Sequence, residues 1–291
     1  GMVISHCFGA YALAYELGRA GYELVERDER NRYRGRVYMT FAYHVSPWAR
    51  PLANSLDLLR EAYRISRDRG DVTYAGFSSC TLVTTLLSQG THLGDVQQEA
   101  RERLRYVTQA GFGLVGDILT AQLQLVATLR GQTREVGTFD DAQFSEHGHE
   151  ARLAANRNLD IASCWYWVRK AHARFLASRF EEAEQALQQA EPLLWTSTGH
   201  FEMAQYHFGA ALTRTALCHG AAEPRRAALL AQVDGHLAQL RTWALHCPQT
   251  FASRVALVEA ELAGVHGRVL EAMQGYEVAL ARAHALQAPQ H

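Results

Sequence analysis

The side chains best suited to hold a metal ion lie in one short stretch: Asp140, Asp141, Glu146, His147, His149 and Glu150. Imidazole nitrogens and carboxylate oxygens are the usual ligands of zinc and of harder divalent ions. On an extended segment, His147-Gly148-His149 would turn both imidazoles to one side. No second, distant ligand group accompanies them, so a solvated acidic loop is the competing reading. A second stretch, Gly111-Phe112-Gly113-Leu114-Val115-Gly116, spells GxGxxG, which cradles phosphates where a strand turns into a helix. Here the residues in front, Arg101 to Ala110, are helical in composition, as are those behind. That context reads as a Gly-rich turn between two helices.

Lysine chemistry is nearly absent. Lys170 is the single lysine, set in Trp165-Tyr166-Trp167-Val168-Arg169-Lys170 with no Gly-rich loop before it. A P-loop, a kinase ATP-anchoring lysine or a Schiff-base lysine would each have to use it, and none of their flanking patterns is there. Cys7, Cys80, Cys164, Cys218 and Cys247 are widely spaced with no CxxC pair, the mark of reduced, mostly buried thiols and not of a disulfide scaffold or zinc knuckle. Among the 14 histidines, His6, His172, His207, His246 and His284 lack the flanks of a phospho-acceptor helix, and His207 sits among aromatics as a packed ring would. No GxSxG elbow or His-Glu-x-x-His motif occurs. No catalytic, cofactor-binding or metal site is assigned.

The positioning elements follow from composition. With 48% hydrophobic residues the chain can build a sizeable core, and 29 basic against 30 acidic residues supply no electrostatic driver for nucleic acid or anionic membrane. No apolar run of about 18 residues exists and no secretory leader pattern opens the chain, so a cytoplasmic protein is expected. Gly1-Met2 reads as the remnant of a cleaved tag, and the chain as a piece of a longer protein.

Arg supplies 28 of the 29 basic residues, Ala is abundant, Pro is scarce, and apolar residues recur at helical spacing; Leu52, Leu56, Leu59 and Tyr63 fall on one face, after Pro51 and before Gly70. Comparable segments cover 4–20, 30–46, 51–69, 73–89, 94–110, 114–130, 151–178, 180–194, 199–219, 223–246, 249–265 and 268–287. The expected fold is all-α, about a dozen antiparallel helices joined by short loops. Residues 1–130 form one sub-array, 131–150 an irregular connector and 151–291 a second sub-array.

One motif repeats. Ser178-Arg179-Phe180-Glu181-Glu182-Ala183 matches Gly267-Arg268-Val269-Leu270-Glu271-Ala272, with Ala190 and Ala279 following at the same distance. The pattern resembles the second-helix opening of a tetratricopeptide repeat: a small residue for the turn, an apolar residue packing back, and Ala for close approach. The spacing is not a multiple of 34, the rest of the consensus is missing, and repeat spacing is poor between 90 and 150, so the array is read as a degenerate superhelix. Aromatics crowd the second half. Trp165, Trp167, Trp195, Phe201 and Tyr206 are candidates for an interaction surface, against the reading that such residues fill the seams between repeats.

Several motifs together resemble a family. Trp48-Ala49-Arg50-Pro51, Leu56-Asp57-Leu58-Leu59-Arg60-Glu61-Ala62-Tyr63 and Gly70-Asp71-Val72-Thr73-Tyr74-Ala75-Gly76 look like the helical region that follows the ATPase module in large bacterial signalling proteins. So do Phe180-Glu181-Glu182-Ala183, Ala190-Glu191-Pro192-Leu193-Leu194-Trp195, Trp243-Ala244-Leu245-His246-Cys247-Pro248-Gln249-Thr250-Phe251 and Leu257-Val258-Glu259-Ala260-Glu261-Leu262-Ala263. The similarity runs from about Gly21 to Gln287. It implies a non-catalytic regulatory arm that binds protein, within a parent carrying a Ser/Thr kinase, an ATPase, a GAF domain and a histidine kinase or diguanylate cyclase. It carries over no functional residue. A ligand-sensing helical domain with an aromatic-lined pocket, a metal-assisted hydrolase at the 140–150 loop, and the sensor arm of a transcription regulator are the alternatives. Cut from its neighbours, such an array is expected to expose an apolar face and self-associate.

Overall fold

Ser178 and Gly267 close the same turn, 89 residues apart. Both adopt left-handed backbone, φ 58° and 75°. In each case the next amide reaches back five residues: Arg179 N–H to Arg174 O at 2.9 Å, Arg268 N–H to Ala263 O at 2.9 Å. This is the Schellman ending, which satisfies carbonyls that a helix end leaves open. The same bond follows Gly70, Gly90, Gly111 and Gly131, at roughly twenty-residue spacing. From Gly70 to Gly131 helix length and turn glycines recur even though the side-chain consensus is poor beyond residue 90.

The computed structural model describes residues 1–28 and 31–285, and all regular structure among them is helical. Two units divide the chain: Gly1–Val126 with Thr198–Phe201, and Ala127–Ser197 with the chain from Glu202 onward. Where the sequence places the boundary at an irregular 131–150, the division falls within the last turns of a helix.

The first unit contains α1 (Met2–Phe8), α2 (Tyr11–Glu26), α3 (Arg34–His44), α4 (Leu56–Asp68), α5 (Val72–Ser88), α6 (Leu93–Gln109) and α7 (Gly113–Leu129), whose last residues count with the second unit. Successive helices pack on one another, α2 on α3, α3 on α4, α4 on α5 and α5 on α6. Leu59, Leu82, Val83, Val96, Val107 and Leu119 are fully buried between them. α5 is enclosed nearly all round despite its Ser and Thr content, because hydroxyls bond to their own helix: Ser79 to Ala75 O at 2.8 Å, Thr85 to Thr81 O at 2.9 Å. Residues Leu52–Ser55 form a 3-10 turn in front of α4. Its tighter winding rotates the buried face from the expected Leu56 and Tyr63 toward Ala62 and Ile65.

The second unit contains α8 (Glu146–Ala154), α9 (Asp160–Leu176), α10 (Phe180–Ala190), α11 (Phe201–Cys218, whose first residue counts with the first unit), α12 (Arg225–His246), α13 (Pro248–Val265) and α14 (Val269–Ala285). α9 pairs with α10, α13 with α14, and α12 packs on α13. Val168, Ala171, Ala186, Leu187, Ala190, Tyr206 and Ala210 join α9, α10 and α11 in one core. Leu217, Cys218, Leu229 and Val265 join α11 to α12 and α13. The motif alanines are in the seams: Ala183 and Ala190 are fully buried, Ala272 and Ala279 nearly so.

Two expected helices are divided. The segment 151–178 breaks after α8, where Asn156 Oδ1 accepts the Asn158 amide at 3.0 Å and starts a new turn. The segment 180–194 stops at Ala190, and Pro192 lies in a 3-10 stretch, Glu191–Ser197. Arg30, Leu286 and Gln287, at the ends of expected helices, lie outside the described residues. None of the described helices is long and apolar enough to cross a membrane. Apolar side chains stay exposed on α2 (Leu13, Leu17, Leu24) and on α14 (Leu270, Met273, Leu280).

Candidate functional site

Within the second unit, polar side chains interrupt the apolar faces of three helices. On α9, Trp165, Arg169 and His172 lie one turn apart on one face. Arg169 is buried and donates to Glu202 Oε1 at 2.9 Å and Gln205 Oε1 at 3.1 Å, both on α11, with its guanidinium 5.9 Å from the Trp165 ring centre. Glu202 is fully buried, so this is an ion pair removed from water, with the Gln205 carbonyl taking a further donor of the guanidinium. From α13, Arg254, also buried, lies against Phe208 of α11 at 5.7 Å and against Phe251 at 5.8 Å. Ring faces carry negative quadrupole density and receive such a cation. Burial draws the Arg254 guanidinium down to about 10.

His172 opens to solvent on this face. Its pKa is pushed down to about 4, first by desolvation and then by the charges of Arg169 and Arg254. Glu202, paired with Arg169, offsets part of that positive charge. The arrangement offers a ring that donates or accepts a proton, backed by two guanidinia held by an ion pair and by aromatic faces. Burial pushes the thiol of Cys164, earlier on α9, up to about 11.

The sequence candidates are distributed differently. Trp165, Phe201 and Tyr206 are interior, with exposures of 1%, 0% and 2%, so they cannot serve as a partner-facing surface. Trp165 donates its indole N–H to Ser197 Oγ at 3.1 Å, and Tyr206 belongs to the α9–α11 core. Trp167 packs against that core from its edge. Trp195 alone of the five is well exposed, at 70%. Inter-helix packing claims these rings because α9 and α11 are surrounded on several sides.

The 140–150 loop is a brace. Asp141 Oδ1 accepts the amides of Gln143 and Phe144, and Asp140 Oδ1 accepts that of Glu146 at 2.7 Å. Glu146 takes the Phe139 amide at 2.7 Å and pairs with Arg174 at 2.7 Å and Lys170 at 3.0 Å. Burial alone would raise its pKa; the Phe139 amide, Lys170 and Arg174 outweigh it and hold the carboxyl low. Glu150 accepts from Tyr166 and Lys170. His147 and His149 stand in the first turn of α8, not on an extended segment, so His147 points to solvent and His149 inward against Phe144 and Tyr166. Among the described residues no group of three or more His, Cys, Asp or Glu is arranged to hold a metal. Gly111 ends α6 with φ 71° and Gly113 begins α7, the helix-to-helix turn its context requires.

His207 is packed as expected: its Nδ1 meets His236 Nδ1 at 3.0 Å, with Arg214 on the far side of His236 and Glu184 on Arg214. In the first unit a cleft of about 320 Å³ opens between α2 and α3, lined by Leu17, Gly18, Gly21, Val37, Thr40 and Phe41. A Cβ on Gly18 would meet Phe41 at 2.9 Å, so the glycine sets how closely the two helices approach. Arg169, Glu202 and Arg254 were not singled out by sequence. Their signal is a charged residue in register with a buried apolar stripe, as in Trp165-x₃-Arg169 and Phe251-x₂-Arg254.

No family model, curated protein or solved structure matches the chain.

Proposed function

We propose that the chain is a non-catalytic helical-repeat module, of tetratricopeptide-like superhelical type, that binds protein and acts as a regulatory arm in a cytoplasmic bacterial signalling protein. The observation that carries the reading is the pair of matching hairpins, α9–α10 and α13–α14. They share a left-handed turn at Ser178 and Gly267, the same reach-back hydrogen bond and the same buried alanines. Hairpins of this kind stack on their neighbours and keep one helix of each pair free to present side chains along the array. Exposed His172 and half-buried Gln205 and Phe208 are such side chains, from the first helices of successive pairs. The resemblance to helical regions beside signalling ATPases supplies the setting.

Coupling then requires only that the bound partner prefer one state of a neighbouring domain. The test is deletion of residues 1–285 from the intact protein in its host, with ATP turnover and protein phosphorylation measured with and without stimulus. Turnover should persist and lose its response. An unchanged response overturns the reading.

A further inference from the structure

We propose that α14 of one copy of this chain packs antiparallel on α2 of a second copy, in the way α10 packs on α11 within each copy. The contact goes beyond the regulatory-arm reading and does not depend on it. It starts from the equivalence of the two hairpins. At the offset of 89 residues, Phe180, Glu184, Leu187 and Glu191 correspond to Val269, Met273, Tyr276 and Leu280. In the first hairpin this row is the face that receives α11. Phe180 packs on the cluster that holds Leu217, Glu184 pairs with Arg214 at 3.1 Å, Leu187 shares a core with Ala210, and the charge of Glu191 acts on Tyr206. Residue numbers rise along one helix as they fall along the other, so the two run antiparallel. On α14 the same row is open: Val269, Met273 and Leu280 are 63%, 59% and 54% exposed, and Tyr276 is half-buried. The stacking face of the array therefore continues onto α14, with both carboxylates replaced by apolar side chains.

A helix that fits this face needs the spacing of Tyr206, Ala210, Arg214 and Leu217 without the arginine, and α2 has it. Leu13, Leu17, Gly21 and Leu24 repeat the same steps of four, four and three, and the three leucines are 56%, 48% and 62% exposed. In the register of α10 on α11, Val269 meets Leu24 of the second copy, Met273 meets Gly21, Tyr276 meets Leu17 and Leu280 meets Leu13. Gly21 stands in the place of Arg214, and a Cβ there would touch nothing. Beside it opens the cleft of about 320 Å³ between α2 and α3, which gives room to the long, unbranched side chain of Met273. The contact exchanges an ion pair for a knob and a hollow, and it covers two exposed apolar faces at once. Because the two faces differ, the contact is head to tail and can repeat from copy to copy.

The experiment is sedimentation of the full chain, residues 1–291, across a wide range of concentration. Two variants at exposed positions accompany it, Met273→Glu on α14 and Leu17→Glu on α2, each checked for unchanged helix content by circular dichroism. If Leu17→Glu loses helix, Leu13→Glu takes its place. Wild type should associate as concentration rises, and each variant alone should associate at least about tenfold more weakly, the effect of leaving one large apolar side chain unburied. Mixed, the two variants should form a one-to-one pair, since one keeps a working α2 and the other a working α14. Met273→Glu together with Gly21→Arg in one chain puts the Glu184–Arg214 arrangement into every contact and should recover association. A wild type that stays monomeric overturns the proposal, as does a mixture that does not pair. A double variant as weak as Met273→Glu alone overturns the register. Association that Met273→Glu abolishes and Leu17→Glu leaves untouched overturns the contact in favour of two α14 helices meeting about a two-fold axis.

Discussion

Ala260 and Gly275 meet across the α13–α14 hairpin so closely that a Cβ added to Gly275 would lie 2.8 Å from the Ala260 Cβ and 3.1 Å from its Cα. Neither atom can swing away, since both are fixed to the helix backbone. At the matching place in the first hairpin stand Ala171 and Ala186, both buried, so that pair is spaced for two methyl groups. Gly275→Ala should therefore part α13 from α14. The overpacking costs about 1–3 kcal/mol, against about 1 kcal/mol gained in helix propensity. A net loss in urea unfolding is expected; a net gain would show that the hairpin has room.

What the sequence reveals, and what it hides, follows from the range of the interactions. The hairpin turns are legible because a small residue, an Arg and an Ala at fixed spacing act within a dozen residues. The Gly111 turn is legible for the same reason. The charged face is not. Arg169 and Arg254 read as polar interruptions of apolar stripes, and only folding brings α9, α11 and α13 together to give them Glu202, Phe208 and a common neighbour in His172. The 140–150 carboxylates are visible as ligands, but their cations, Lys170 and Arg174, lie on α9 at i and i+4, where sequence shows only a helix surface.

Ser178 is the one non-glycine with positive φ among the described residues, and a side chain there costs about 1–2 kcal/mol in left-handed backbone. Gly267 performs the same turn without that cost. Ser178→Gly should raise stability by about 0.5–1 kcal/mol after the added freedom of the unfolded chain is counted. Thermal unfolding followed by circular dichroism checks it, and a lower midpoint would contradict the equivalence of the two turns.

The Arg169–Glu202 pair is removed from water, so losing one partner strands a charge. Arg169→Met and Glu202→Leu should each cost about 3–5 kcal/mol. Arg169→Met with Glu202→Leu should cost much less than the sum, since both charges leave together. A double-mutant cycle by denaturant unfolding measures the coupling; additive losses would mean the pair contributes no mutual stabilisation.

Acid should weaken the first unit through His44. Burial, then the neighbouring His200, lowers its pKa to about 3, against a hydrogen bond that its Nδ1–H donates to Gly199 O, which acts in the opposite sense. The unfolded state, with an ordinary imidazole near 6.5, binds the proton more readily. Stability is therefore fully present above about pH 6.5 and declines as pH falls toward 3, by about 2 kcal/mol at pH 5 for this one group. His6, lowered to about 4, adds in the same direction. Unfolding free energies at pH 7 and pH 5 should show a smaller difference in His44→Asn; an identical difference would place the acid sensitivity elsewhere.

Glu146 ties three partners at once: the Phe139 amide, Arg174 and Lys170. Arg174 in turn donates to Gly137 O, so the segment before α8 is fastened to α9 at both ends of one carboxylate. Glu146→Gln keeps an oxygen for the Phe139 amide and removes the charge that two buried or half-buried cations share. The expected result is a loss of about 3 kcal/mol, with proteolysis appearing first within 131–145. His147→Ala, at an exposed position, should change neither. The two variants separate the brace from a metal centre. A metal centre would make His147→Ala costly and make wild-type stability fall on chelation, whereas a brace leaves the melting temperature in a chelator unchanged. A drop on chelation that His147→Ala abolishes would overturn the assignment of these carboxylates to the loop.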